Sequence, residues 1–240
     1  MSIRVPTWFK YLITVWFSVQ SSFAYAFELN TARIMICKMY DDANEASYQR
    51  EIEVAKVIGS HPNIIQIEQS FSFHDADTTN TYHCLVMPIY PRSAGDLLHA
   101  CIKRGVPVEI VNVIAKHIKS ALSHIHERNM CFADCKPDNI MLDGAKGCAI
   151  LVDLGSVVPI GSELIERTPM LALDLSPTRG SAILDFVCLA STICLLLNIR
   201  VEGATRHSLL QDVCERERFS SQNVALTIAA ECLKNSLDAE

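Results

Sequence analysis

The sequence predicts an α+β fold in two lobes, a small β-rich lobe carrying one main helix and a larger, mostly helical lobe. Three observations predict it. Runs rich in β-branched and aromatic residues crowd the first ninety positions of the 240-residue chain. Apolar residues at Ile110, Ile114, Ile118, Leu122 and Ile125 recur close to the helical period. Further on, "SAILDFVCLASTICLLLN" is apolar on all sides, as a helix at the centre of a lobe would be.

In chain order, the segment Trp8 to Val19 is short for a membrane span and fits either a strand or the apolar core of a signal peptide. Arg4 and Lys10 precede or flank that run and "AYA" resembles a signal-peptidase site, so residues 1–26 carry both readings. "RIMICKMY" reads as the next strand and runs into the polar "DDANEAS". The helix "NEASYQREIEVAKVIG" follows, with acidic residues near its start and Gly59 at its end, the usual asymmetry of helix termini. "HPNIIQIEQSFSF" and "TYHCLVMPIY" read as two strands joined by the turn "HDADTTN". The small lobe then spans about residues 8–90, with the hinge in Pro91 to Gly95. Beyond it, "DLLHACIKRG" and "VEIVNVIAKHIKSALSHIHERN" read as helices, and two short strands, "NIML" and "CAILVD", bracket a pair of loops. The larger lobe occupies about residues 96–240, and the chain has no internal repeats.

The net charge is −6, with Lys and Arg scattered rather than clustered, which removes the electrostatic footprint of a nucleic-acid binder. No membrane partner is expected. The ten cysteines include no C-x-x-C pair, and residues such as Cys37, Cys84 and Cys194 sit inside apolar runs. Free buried thiols in a reducing compartment, cytoplasm or nucleus, are the expectation. The signal-peptide reading of residues 1–26 would instead send the chain to the secretory pathway. His124 and His126 read as surface or packing residues, and Cys131 and Cys135 lack the second ligand pair of a zinc site.

Chemistry concentrates in "CFADCKPDNIML" and in "VDLGS" downstream of it. Phosphoryl transfer from ATP needs a carboxylate to orient the attacking hydroxyl, oxygen ligands for Mg2+ and positive charge near the transferred group. Asp134 can be the base, Asn139 and Asp153 the metal ligands, and Lys136 the cation beside the γ-phosphate. Gly155 is expected to give the metal-holding turn its backbone freedom.

With these residues in place, the sequence resembles a eukaryotic protein kinase domain, whose catalytic loop reads H-R-D-x-K-P-x-N and whose metal loop reads D-F-G. The resemblance runs over nearly the whole chain and implies one bilobal domain over residues 1–240, with its hinge at about 88–95. It implies ATP and Mg2+ as cofactors and a protein as the phosphate acceptor. "MICK" looks like the V-A-I-K strand and makes Lys38 the lysine that holds the α- and β-phosphates; "YQREIEVAKVIG" makes Glu51 its partner. "LVMPIYPRSAGDLL" resembles the hinge, with Met87 as gatekeeper and the backbone of Pro88, Ile89 and Tyr90 facing adenine. Asp185 in "SAILDFVC" would anchor the catalytic loop through backbone hydrogen bonds. The lysine two residues after Asp134 favours the Ser/Thr type. Such a small lobe needs two strands before the one bearing Lys38, and only residues before Asn30 can make them, so the N-terminal segment is expected to be retained.

The departures are specific. No G-x-G-x-x-G is present; the nearest match, "VQSSFAYA", keeps Phe23 as a loop-tip aromatic and replaces every glycine. Glycines there let backbone N–H groups approach phosphate closely, so nucleotide affinity should fall. Ile36 replaces a small alanine over adenine, Phe132 replaces the loop histidine, and Ala133 removes the arginine that grips a phosphorylated activation segment. "ERTPMLALDLSP" only loosely resembles the A-P-E region. Two other readings stay open: a pseudokinase that keeps the fold as a scaffold or allosteric partner, and a small-molecule phosphotransferase with the same acid-to-asparagine spacing.

Overall fold

A computed structural model describes residues 9–17, 22–28, 32–74, 80–165, 168–175, 178–218 and 223–239. The chain divides into two compact units, one of residues 1–60 and 65–89, the other of residues 61–64 and 90–240. The expected turn centred on residues 75–79, residues 18–21, which include the start of "VQSSFAYA", and residues 166–167 fall outside the described residues; Ser22–Ala26 of that stretch belong to the second strand.

The first unit is an antiparallel sheet. Its strands are β1 (Phe9–Phe17), β2 (Ser22–Glu28), β3 (Arg33–Asp41), β4 (Gln69–His74) and β5 (Thr81–Pro88), in the order β1-β2-β3-β5-β4. Register follows alternation: β2 pairs with β3 from Ser22 opposite Met39 to Glu28 opposite Arg33, and β3 pairs with β5 from Met35 opposite Pro88 to Asp41 opposite Tyr82. Ala24, Ala26, Met35, Cys37, Phe73, Cys84 and Val86 form a buried apolar cluster. Because successive side chains alternate between faces, Ile36, Lys38 and Tyr40 lie on the opposite face of β3 from Met35 and Cys37. Helix α1 (Glu45–Ile58) packs on β3 and β5 through Tyr48, Glu51, Val54 and Ile58, spaced three or four apart. It ends at Gly59, whose φ of 68° is the left-handed geometry that favours glycine.

The structure shortens one expected strand. Within "HPNIIQIEQSFSF" only Gln69 onward joins the sheet; His61–Ile64 folds with the second unit, where the Asn63 side-chain amide donates to the Ala149 carbonyl at 2.9 Å and Leu151 N–H donates to the Asn63 carbonyl at 2.8 Å. Those bonds take the backbone of Asn63 away from β5.

The second unit begins with β6 (Arg92–Ser93) and α2 (Ala94–Ala100). Ser93 accepts from Asp96 N–H while Asp96 accepts from Ser93 N–H, a reciprocal cap worth about 1 kcal/mol. The expected hinge segment therefore includes the first turn of a helix. Gly95 permits this approach, because a Cβ there would stand 2.4 Å from the Asp138 carboxylate. Helix α3 (Val108–His126) buries Val111, Ile114, Ala115, Ile118, Ala121, Leu122 and Ile125. Ile110, expected on that stripe, is exposed because the buried face begins at Val111. After β7 (Met130–Cys131), a hairpin of β8 (Ile140–Asp143) and β9 (Cys148–Leu151) pairs with β6, and β10 (Val158–Pro159) pairs with β7. Helix α4 (Ala182–Leu196) is buried almost all round, as its uniform hydrophobicity requires, and packs against α3 and α6 (Val224–Asp238); α5 (Arg206–Arg218) packs on α6.

Candidate active site

In the first unit, Lys38 and Glu51 form a buried ion pair: Lys38 Nζ lies 2.9 Å from Glu51 Oε2, with the residues 7% and 2% exposed. β3 directs Lys38 to the face that α1 covers, and Glu51 projects from the buried stripe of α1. A charge pair this dry survives only if its remaining polar atoms are satisfied. Tyr40, unremarked in the sequence, donates its hydroxyl to the same Oε2. Of the residues expected to face adenine, Met87 lies on β5 opposite Ile36 and is 8% exposed, Pro88 ends β5 opposite Met35, and Ile89 is exposed. Pro88 has no N–H, so that position can offer only its carbonyl. Tyr90 opens the long stretch of the second unit and is half-buried.

In the second unit, α4 organises the loop "CFADCKPDN". Asp185, fully buried, accepts Phe132 N–H on Oδ2 and Ala133 N–H on Oδ1, each at 2.7 Å. His126 Nε2 stands 2.7 Å from the same Oδ2, so this histidine, expected only as a surface or packing residue, takes part in the anchor. Thr192 Oγ1 donates to the Cys135 carbonyl at 3.1 Å and Ser191 Oγ to the Leu171 carbonyl at 2.9 Å. These bonds hold Ala133 at φ 71°, a left-handed conformation that costs a non-glycine residue about 1–2 kcal/mol. Phe132 and Leu154 are both buried at 1% exposure or less, as apolar fillers should be.

The anchored loop presents Asp134, only 2% exposed. Three donors converge on its carboxylate: Lys136 Nζ at 2.5 Å and Asn139 Nδ2 at 3.1 Å on Oδ2, and Thr168 Oγ1 at 2.7 Å on Oδ1. Asn139 Nδ2 also donates to the Asp134 carbonyl at 3.0 Å. With its amide nitrogen so engaged, Asn139 keeps Oδ1 as its acceptor. Asp153 opens the turn Leu154–Ser156 with φ 67° and ψ 74°. The left-handed residue of this turn is therefore Asp153 itself; Gly155, expected to supply the freedom, does not use positive φ.

A further ion pair steadies the neighbouring segment. Arg206, 4% exposed at the start of α5, donates from Nε to Asp174 Oδ1 at 3.0 Å and from an NH2 nitrogen to Oδ2 at 3.4 Å, and reaches the Ser236 carbonyl at 3.0 Å. Burial pushes the Asp174 carboxyl up, but the Arg206 hydrogen bonds and charge outweigh it and leave the group below its ordinary value. Thr168 and Asp174 lie in the stretch whose motif resemblance was loosest, and Arg206 sits on a helix with a weak apolar pattern. All ten cysteines are free, and burial pushes the Cys131, Cys135 and Cys188 thiols up, away from thiolate chemistry. Among the described residues no cluster of three His, Cys, Asp or Glu side chains could hold a metal, and no helix is long and apolar enough to cross a membrane.

The family model for the protein kinase domain matches residues 20–168. The protein described as "Probable serine/threonine-protein kinase MRK1 homolog" of Encephalitozoon cuniculi is 27% identical over 201 residues, covering 79% of this chain and 60% of that protein. Protein kinase gsk31 of Schizosaccharomyces pombe is 30% identical over 109 residues, 45% of this chain and 28% of its own length. Glycogen synthase kinase 1 of Pyricularia oryzae is 28% identical over 122 residues, 50% of this chain and 30% of its own. The matched regions thus span between about a quarter and three fifths of these relatives.

Proposed function

The chain belongs to the protein kinase family, and from that premise we propose that it transfers the γ-phosphoryl group of ATP to serine or threonine hydroxyls of a protein, with Mg2+. The observation that carries the proposal is the Asp134 carboxylate, buried, bracketed by a lysine ammonium and an asparagine amide, and already accepting a threonine hydroxyl. A carboxylate that holds a hydroxyl proton in this geometry can orient an attacking hydroxyl and accept its proton.

The roles follow from the side chains. Asp134 acts as base, and Lys136 places its cation beside the oxygen on which charge develops. Lys38, fixed by Glu51, holds the nucleotide phosphates, and the backbone at Pro88, Ile89 and Tyr90, with Met87 beside it, takes adenine. Asn139 Oδ1 and the Asp153 carboxylate would hold Mg2+; two protein oxygens plus substrate phosphates is the usual Mg2+ environment, and the left-handed turn at Asp153 is the kind of local strain that functional loops retain. When bound, Mg2+ neutralises phosphate charge. With all ten thiols free, a reducing compartment, cytoplasm or nucleus, suits the chain.

A second reading is favoured by one observation: the first glycine in the sequence is Gly59, so no glycine stands before β3 to bring backbone N–H groups onto phosphate. On that reading the domain binds partners without turnover. Incubation with labelled ATP, Mg2+ and a generic basic protein tests the choice. Label on serine or threonine supports the kinase; bound ATP without transfer supports the binding module.

A further inference from the structure

We infer that Tyr40 is a positioning residue for the Lys38–Glu51 pair: its hydroxyl and the Lys38 ammonium converge on one carboxylate oxygen, so Glu51 is fixed by the sheet itself. This rests on reading Lys38 as the phosphate-binding lysine.

The contacts among Lys38, Tyr40 and Glu51 lie within the first unit. Tyr40 follows Lys38 by two positions on β3, so both side chains emerge on the face that α1 covers. Tyr40 is 2% exposed and donates to Glu51 Oε2, and Lys38 Nζ lies 5.4 Å from the Tyr40 ring centroid. Burial, and then the Glu51 charge, hold the Tyr40 phenol well above its ordinary value, so it remains a donor. A carboxylate in so dry a place needs more than one donor, and the phenol supplies the second.

The tether continues along α1. Tyr48, three residues before Glu51, has its ring centroid 6.1 Å from that of Tyr40 and 5.1 Å from that of His83 on β5. His83 Nδ1 in turn lies 2.8 Å from Ser72 Oγ on β4, and its Nε2 faces Asp42 at 3.6 Å. One aromatic and polar row therefore joins α1 to β3, β5 and β4. The consequence is that residues of the first unit supply two donors to one oxygen of Glu51 and hold it beside Lys38.

The test compares wild type, Tyr40→Phe, Glu51→Gln and the double variant. Without nucleotide, acetylation of Lys38 by acetic anhydride is followed by peptide mass spectrometry, with exposed Lys56 of α1 as internal reference. Loss of a hydrogen bond to a charged group should speed Lys38 labelling about tenfold in Tyr40→Phe. The double variant should label no faster than Glu51→Gln, and Lys56 should be unchanged. Equal Lys38 rates in wild type and Tyr40→Phe, multiplying effects in the double variant, or matching acceleration at Lys56 would each overturn the inference. In parallel, Tyr40→Phe should weaken Mg2+–ATP about tenfold and leave adenosine binding unchanged; equal weakening of both would also overturn it. A wild type that binds no ATP, with the labelling pattern intact, would refute the kinase reading and leave the Tyr40 tether standing.

Discussion

Asp134 illustrates what a single residue can carry. Its carboxylate is buried among donors, and the Phe132 and Ala133 backbone beside it is locked by Asp185. Replacing the carboxylate by an amide keeps shape and removes the group proposed as base. Asp134→Asn should leave ATP binding near the wild-type level and cut turnover about 100-fold or more, since a positioned base is typically worth 10²–10⁴; calorimetry beside a transfer assay separates the two. Arg206 supports a second prediction. Its bonds hold Asp174 below the ordinary value of 3.8, so the unfolded chain binds the proton more readily. This contribution to stability is present above about pH 3.8 and is lost as pH falls through the lower folded value. Arg206→Met should lower the melting temperature at neutral pH and show less further loss of stability than wild type below pH 4, read by thermal scans across pH. Motif order made the anchoring role of Asp185 legible and brought Asp134 and Asn139 forward as candidates. The sequence hid Tyr40, Thr168 and the Asp174–Arg206 pair, because these depend on which side chains meet after folding.

At the scale of elements, alternation and period were good guides where one face is buried. The strand "RIMICKMY" and the helices over Glu45–Ile58, Val108–His126 and Ala182–Leu196 follow directly from pattern. They failed where a tertiary contact decides: Asn63 bonds to β9 and so withholds "HPNIIQI" from the sheet. Helix α5 was illegible because it buries only Arg206, Leu209 and Val213. The N-terminal strands allow a sharper test. β2 pairs with β3 along seven residues, and Ala24 and Ala26 belong to the buried cluster. A chain beginning at Phe27 would lose β1, most of β2 and that cover. Such a truncation should show rapid amide exchange across β3 and α1, whereas protection equal to the full chain would mean that the first unit stands without them.

For the whole molecule, activity should not depend on phosphorylation. Ala133 offers no cation to a phosphate, Ser156 is 2% exposed, and a phosphate on Thr168 would face the Asp134 carboxylate that its hydroxyl now contacts. Phosphatase treatment should change turnover little; a large loss would point to another basic residue as the phosphate's partner. On the proposed function, the anchored loop and the turn at Asp153 still serve nucleotide chemistry despite the absence of glycines before β3. The most direct test of this central claim is titration calorimetry of ATP with and without Mg2+ on wild type and Asp153→Ala. Mg2+-dependent binding by wild type that disappears in Asp153→Ala is the predicted result; no binding by wild type at millimolar ATP and Mg2+, or binding indifferent to both the metal and Asp153, would contradict it.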